Sequence, residues 1–163
     1  MIKLLVACRE EQQAIALRNE LVRADSSIAA EATDIAAARV KASFSRPDVL
    51  LLEHREDEAH NAWYVISRIL QVSGNTRVLL LCDRYSHRSI IGFMQWGASG
   101  CVALSHGPYV YAMAARTVHA GETWFGRSEL PQALRSQLHV EDAASLGVIA
   151  DWLAAPPSGI VAG

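Results

Sequence analysis

Three cysteines, Cys8, Cys82 and Cys101, and the run His54-Arg55-Glu56-Asp57-Glu58-Ala59-His60 are where this 163-residue sequence could do chemistry. Thiols serve redox and metal chemistry. Three of them, without CxxC spacing, make neither a disulfide framework nor a zinc knuckle. Burial as a small apolar side chain is the ordinary fate of such a cysteine. The His54–His60 run has the carboxylates and imidazoles of a metal site, but mixed charge of this kind is the usual make-up of a solvated loop. No nucleophile–base pair, phosphate-cradling glycine loop or metal-ligand motif is visible. The chain is therefore not expected to be an enzyme, and neither cofactor nor metal is expected.

Composition narrows the classes further. Hydrophobic residues make up 51% and charged residues 20%, which suffices for one core and a soluble surface. Fifteen basic residues against seventeen acidic ones, a net charge of −2, leave no electrostatic footprint of a nucleic-acid binder. No apolar stretch reaches the length of about 18 residues that a membrane span needs. Ile2–Ala7 has the length of a buried strand and is too short for a signal peptide. A cytoplasmic location with reduced thiols is expected.

Short apolar runs alternate with helical patterns. Strands are expected at Ile2–Ala7, Ser27–Ala32, Val49–Leu52, Arg77–Cys82 and Cys101–Leu104. Between them, Glu10–Arg23 places Ala14, Leu17 and Leu21 on one helix face. Asp34 can cap a helix carrying Ile35, Ala38, Ala42 and Phe44, which Arg46-Pro47 stops. Ala62–Val72 carries Val65, Ile66 and Ile69. Ser86 can cap a helix ending at Gly97, and Pro108 can open one ending at Gly121. The strands are continuous apolar runs, as a parallel sheet covered on both faces requires. The expected fold is a doubly wound α/β sandwich. Its functional crevice lies at the carboxyl ends of the strands, among Cys8, Arg9, Glu53, Cys82 and Leu104.

Four segments carry a family resemblance: Arg46-Pro47-Asp48-Val49-Leu50-Leu51-Leu52, Thr76-Arg77-Val78-Leu79-Leu80-Leu81, Gly97-Ala98-Ser99-Gly100 and Ala120-Gly121-Glu122-Thr123. In this order and spacing the chain resembles a response-regulator receiver domain of the LuxR/FixJ (NarL-type) subgroup. The resemblance implies a flavodoxin-like, five-stranded parallel sheet of order 2-1-3-4-5. It covers a receiver-like domain over 1–123. Such domains accept a phosphoryl group on an aspartate, using two acidic residues for Mg²⁺, a Ser or Thr, a Lys and a switching aromatic.

At each of those positions this sequence departs. The acidic pair falls on Cys8 and Arg9, the phosphoacceptor on Glu53 and the hydroxyl on Cys82. The lysine falls on Leu104 and the aromatic on Cys101. A cation at Arg9 opposes a divalent ion, and without ion and lysine the transferring phosphoryl group lacks counter-charge. The domain is expected to be a degenerate receiver, not phosphorylated by the usual Mg²⁺-dependent route. Glu53 has two readings: a carboxylate standing where phosphoaspartate charge would lie, or an ion pair with Arg9 tying two strand ends together. In the implied order Cys8 and Cys82 lie two strand spacings apart, roughly 9.6 Å, too far for a disulfide.

In the family, the face built from the fourth helix, fifth strand and fifth helix meets partners. Tyr85, Trp96, Tyr109 and Tyr111 are the aromatics that could form it here. The expected partners are a second copy or a partner regulator or kinase, with DNA only through a domain absent from this chain and no membrane. The tail, 124–163, allows helices over Ser128–Leu138 and Glu141–Leu153 but no complete helix-turn-helix. The first reading is a protein-interaction and dimerisation module in bacterial signalling and transcription regulation. The alternatives are the N-terminal part of a longer LuxR-type DNA-binding regulator, and a small-ligand or redox sensor using the pocket lined by Cys8, Cys82, Cys101 and Leu104.

Overall fold

Two runs of apolar residues, Val49–Leu52 and Val78–Leu81, occupy the middle of the sheet, where both faces are covered and alternation would leave polar groups buried. The computed structural model describes residues 1–125, apart from the side chains of residues 58–61. The chain runs β1 (Ile2–Cys8), α1 (Glu11–Ala24), β2 (Ile28–Asp34), α2 (Ala38–Ser45) and β3 (Val49–His54). A 3-10 turn (Glu56–Glu58), α3 (Ala59–Val72), β4 (Arg77–Cys82), α4 (His87–Gln95) and β5 (Gly100–Ala103) follow. A second 3-10 turn (Leu104–His106) leads into α5 (Pro108–His119). The five strands are parallel in the order β2-β1-β3-β4-β5, as the sequence implies.

Strand alternation sorts the core into two layers. Leu4, Val6 and Cys8 of β1, Leu51, Leu81 and Val102 pack with α1 and α5. Leu5, Ala7, Leu52, Leu80, Cys82 and Cys101 pack with α2, α3 and α4. Helix ends follow local chemistry. Ser86 and Ser89 form a reciprocal capping box at the start of α4, and Gly97 ends it at φ 96°, a backbone setting that favours glycine.

Three expectations shift. β2 extends to Asp34, because its whole length pairs with β1 from Ile2↔Ile28 to Cys8↔Asp34. Asp34 then accepts the Ala37 amide at 2.7 Å, so α2 begins only at Ala38. Phe44, placed with the helix's apolar residues, is 85% exposed, and α2 meets the core through Ala38 and Ala42. β3 continues through His54, which is buried rather than solvated in a loop. The expected tail helices over Ser128–Leu138 and Glu141–Leu153 lie outside the described residues.

After α5 the chain returns to the sheet. The Trp124 amide donates to Ser99 O at 3.0 Å, and the Cys101 amide donates to Trp124 O at 2.8 Å. This parallel bridge opposite Gly100 covers the β5 edge, and Phe125 is buried in the α2–α4 layer. Gly100 has to lack a side chain here: a Cβ would sit 2.5 Å from the Trp124 carbonyl oxygen.

Candidate functional site

The crevice is built where β1 and β3 end side by side. Glu53, the next-to-last residue of β3, has a side chain only 1% exposed. Its Oε1 accepts the backbone amide of Arg9 at 3.3 Å. Arg55 also approaches that oxygen, its Nε lying 4.0 Å away. Glu53 is thus joined to the end of β1 through the Arg9 main chain and paired at longer range with Arg55. The side chain two residues along the same strand stands on the same side of the sheet, and Arg55 follows Glu53 at that interval. The second oxygen, Oε2, is buried and has no hydrogen-bond partner among the described residues.

Cys8 stands apart from the other two cysteines, which share a layer. All three are buried and none forms a disulfide. Cys8 lies in the α1/α5 layer, whereas Cys82 and Cys101 lie in the α2–α4 layer on the other side of the sheet. Burial pushes the Cys8 thiol up to about 12, and the nearby Glu53 carboxylate adds to the shift. Burial likewise raises Cys82, with Cys101 and then Asp83 contributing. Thiols so disfavoured as thiolates are poor nucleophiles and poor metal ligands.

Leu104 is half-buried in the turn after β5 and packs against the α1/α5 layer. Its carbonyl accepts the Tyr111 hydroxyl. Tyr111 is thus a core residue, 4% exposed, and not part of a partner-facing surface. Trp96 is corrected in the same way. It is buried, and its ring centroid lies 5.4 Å from that of Phe93 and 5.9 Å from that of His54. Their helix positions explain both, since each falls on the side of its helix that faces the sheet. Tyr85 is half-buried against the α2–α4 layer, and Tyr109 is 74% exposed.

A cleft of about 350 Å³ opens beside Glu53. Leu52, Glu53 and His54 border it from β3, Ile35 and Ala36 from the turn between β2 and α2, and Ala62, Tyr64 and Val65 from α3, with Arg9 completing the lining. The pocket expected from Cys8, Cys82, Cys101 and Leu104 is not this one, because those side chains are directed into the cores or lie at the far strand ends. Of the residues singled out for the crevice, Arg9 and Glu53 meet here. His54 is the residue that the sequence reading assigned elsewhere. Its imidazole packs edge-on to Phe93, at 5.2 Å between centroids, and Nδ1 is buried with no hydrogen-bond partner among the described residues. Burial lowers its pKa, against smaller opposing contributions from Asp83 and Asp57. The signal that finds it is the alternation Leu50, Leu52, His54, which continues the strand by one pair.

The parallel sheet, its strand order and a crevice at its carboxyl edge define a receiver-domain fold. Its structural neighbours are receiver domains of LuxR/NarL-family response regulators. One is a LuxR family DNA-binding response regulator from Silicibacter pomeroyi, at 23% identity and TM-score 0.62, covering 78% of this chain and 99% of that one. Another is the signal receiver domain of the response regulator NarL from Mycobacterium tuberculosis, at 26% identity and TM-score 0.57, covering 74% and 98%. The fold also matches a pilus assembly protein, CpaE, from Caulobacter crescentus, at 22% identity and TM-score 0.57, covering 75% and 94%. No protein-family model and no curated relative matches the sequence.

Receiver folds imply a Mg²⁺ ion, and the residues present do not fit one. Mg²⁺ takes carboxylate and water oxygens. At the end of β1 the chain offers a core thiol and a guanidinium, and among the described residues lining the cleft Glu53 is the one that carries a carboxyl group. Among the described residues no group of three or more His, Cys, Asp or Glu could hold a metal ion. Among the same residues no helix is long and apolar enough to cross a membrane.

Proposed function

We propose that this chain is an atypical receiver domain, not phosphorylated by the Mg²⁺-dependent route, that works as a protein-interaction and dimerisation module in bacterial signal transduction and transcription regulation. The observation that carries this reading is the charge at the strand ends. Arg9 and Arg55 flank a single carboxyl group, where phosphoryl transfer to an aspartate needs a divalent ion and a lysine. Cys82 and Leu104 supply neither a hydroxyl nor an ammonium.

The interaction role is supported by α5. Tyr109 and Met113, one turn apart, are 74% and 44% exposed on a helix whose other side fills the core. A second copy is the partner this face is assigned to. Incubation with acetyl phosphate and Mg²⁺, read by intact mass, should give no phosphoryl adduct. A Mg²⁺-dependent adduct on Glu53 overturns the proposal. Tyr109→Glu should shift sedimentation from dimer to monomer without changing the urea midpoint, and a wild-type monomer at all concentrations refutes the dimerisation role.

A further inference from the structure

The cleft beside Glu53 has a second property that interaction alone does not explain. Among the described residues, two buried polar atoms at its β3 border, Glu53 Oε2 and His54 Nδ1, have no hydrogen-bond partner, while the rest of the lining is largely apolar. Buried polar groups are nearly always paired, so each orphan needs a reason. A cleft of about 350 Å³ falls at the small end of ligand sites and fits roughly one substituted ring.

Charge decides what such a ring must carry. An anion would meet the buried Glu53 carboxyl group at close range. A cation would meet Arg9 in the lining and Arg55 at 4.0 Å from the same carboxyl group. A neutral donor avoids both conflicts and gives Oε2 the hydrogen bond it lacks. His54, kept neutral by burial, adds a nitrogen without adding charge.

We propose that the cleft between the β2–α2 turn, β3 and α3 binds a small, uncharged, mainly apolar ring molecule through one N–H or O–H donor placed on Glu53 Oε2. The site goes beyond the interaction role and would add a chemical input to the domain. It does not depend on the phosphorylation reading, since failure to bind a ligand leaves the acetyl phosphate result as it stands.

The test uses the full chain, ¹⁵N-labelled, titrated with indole and phenol as neutral donors. N-methylindole and anisole serve as donor-free counterparts, and benzoate and benzylamine as charged ones. The expected result is saturable shifts of the Leu52, Ala36 and Val65 amides by indole or phenol. The methylated and charged probes should bind about tenfold more weakly or worse, the loss expected for a hydrogen bond to a carboxylate. Glu53→Leu should cause a similar loss. Should that variant fail to fold, Ala36→Phe at the exposed side of the cleft should obstruct binding while leaving spectra of the β4 and α5 residues unchanged. No saturation by either donor up to millimolar concentration overturns the proposal. So does equal binding of parent and methylated probes, or undiminished binding to a folded Ala36→Phe protein.

Discussion

Glu53→Leu should raise the stability of the fold. The wild-type carboxyl group gains one hydrogen bond at 3.3 Å from the Arg9 amide, beyond the usual range for N–H···O, so about 1 kcal/mol is an upper figure. Its pair with Arg55 spans 4.0 Å, and Arg55 is 43% exposed, so solvent screening limits that contribution to well under about 1 kcal/mol. Against these stands a buried oxygen with no hydrogen-bond partner among the described residues, which costs about 1–3 kcal/mol. Leucine fills a similar volume, removes the orphan and adds buried apolar surface. The Arg9 amide it releases belongs to an exposed residue and can turn to water. The balance is a gain of about 1 kcal/mol, which at a urea slope of about 2 kcal/mol per molar moves the midpoint up by roughly 0.5 M. Equilibrium urea unfolding at pH 7, followed by tryptophan fluorescence, measures it. A midpoint lowered by the equivalent of about 2 kcal/mol refutes the reasoning and makes Glu53 a structural tie between strand ends.

Three other outcomes are expected. His54 has a lowered pKa in the folded chain, so below about 6.5 the unfolded chain binds the proton more readily and stability falls with pH; the slope attributable to it is at most about 1.4 kcal/mol per unit. Urea midpoints from pH 7.5 down to 5.5 should fall less steeply in His54→Phe than in the wild type, and identical slopes exclude this source. Gly100→Ala should lose about 1–3 kcal/mol by overpacking, because the atom met at 2.5 Å is backbone and cannot rotate away; an unchanged or higher urea midpoint contradicts it. A disulfide-exchange reagent at pH 8 should find no fast thiol in the native protein and three after unfolding, and one rapid native thiol would reopen a redox role.

The strands were legible because Val49–Leu52 and Val78–Leu81 leave no alternation to misread, and α4 because Ser86 and Gly97 mark both its ends. His54 was misplaced since its neighbours Arg55, Glu56 and Asp57 are charged, and only strand register shows that it continues the inner face of β3. Aromatic type could not separate Tyr109 from Tyr111. Two residues apart, they fall on opposite sides of α5, and the bond to Leu104 marks which side goes inside. The strand-end substitutions Arg9 and Glu53 were readable one by one. A tie between them was expected as an ion pair; the contact through the Arg9 main-chain amide was not, because every residue possesses that group. Nor was the cleft, which exists only as a gap between the β2–α2 turn and α3.

The placement of the thiols on opposite sides of the sheet gives each helical layer its own chemical clock. Cys8 becomes reactive only when α1 or α5 lifts, and Cys82 or Cys101 only when the α2–α4 side opens. Labelling rates resolved thiol by thiol would therefore show whether the domain breathes as one cooperative unit or as two leaves hinged on a common sheet. An effector acting on either helical layer should slow the clock on its own side first.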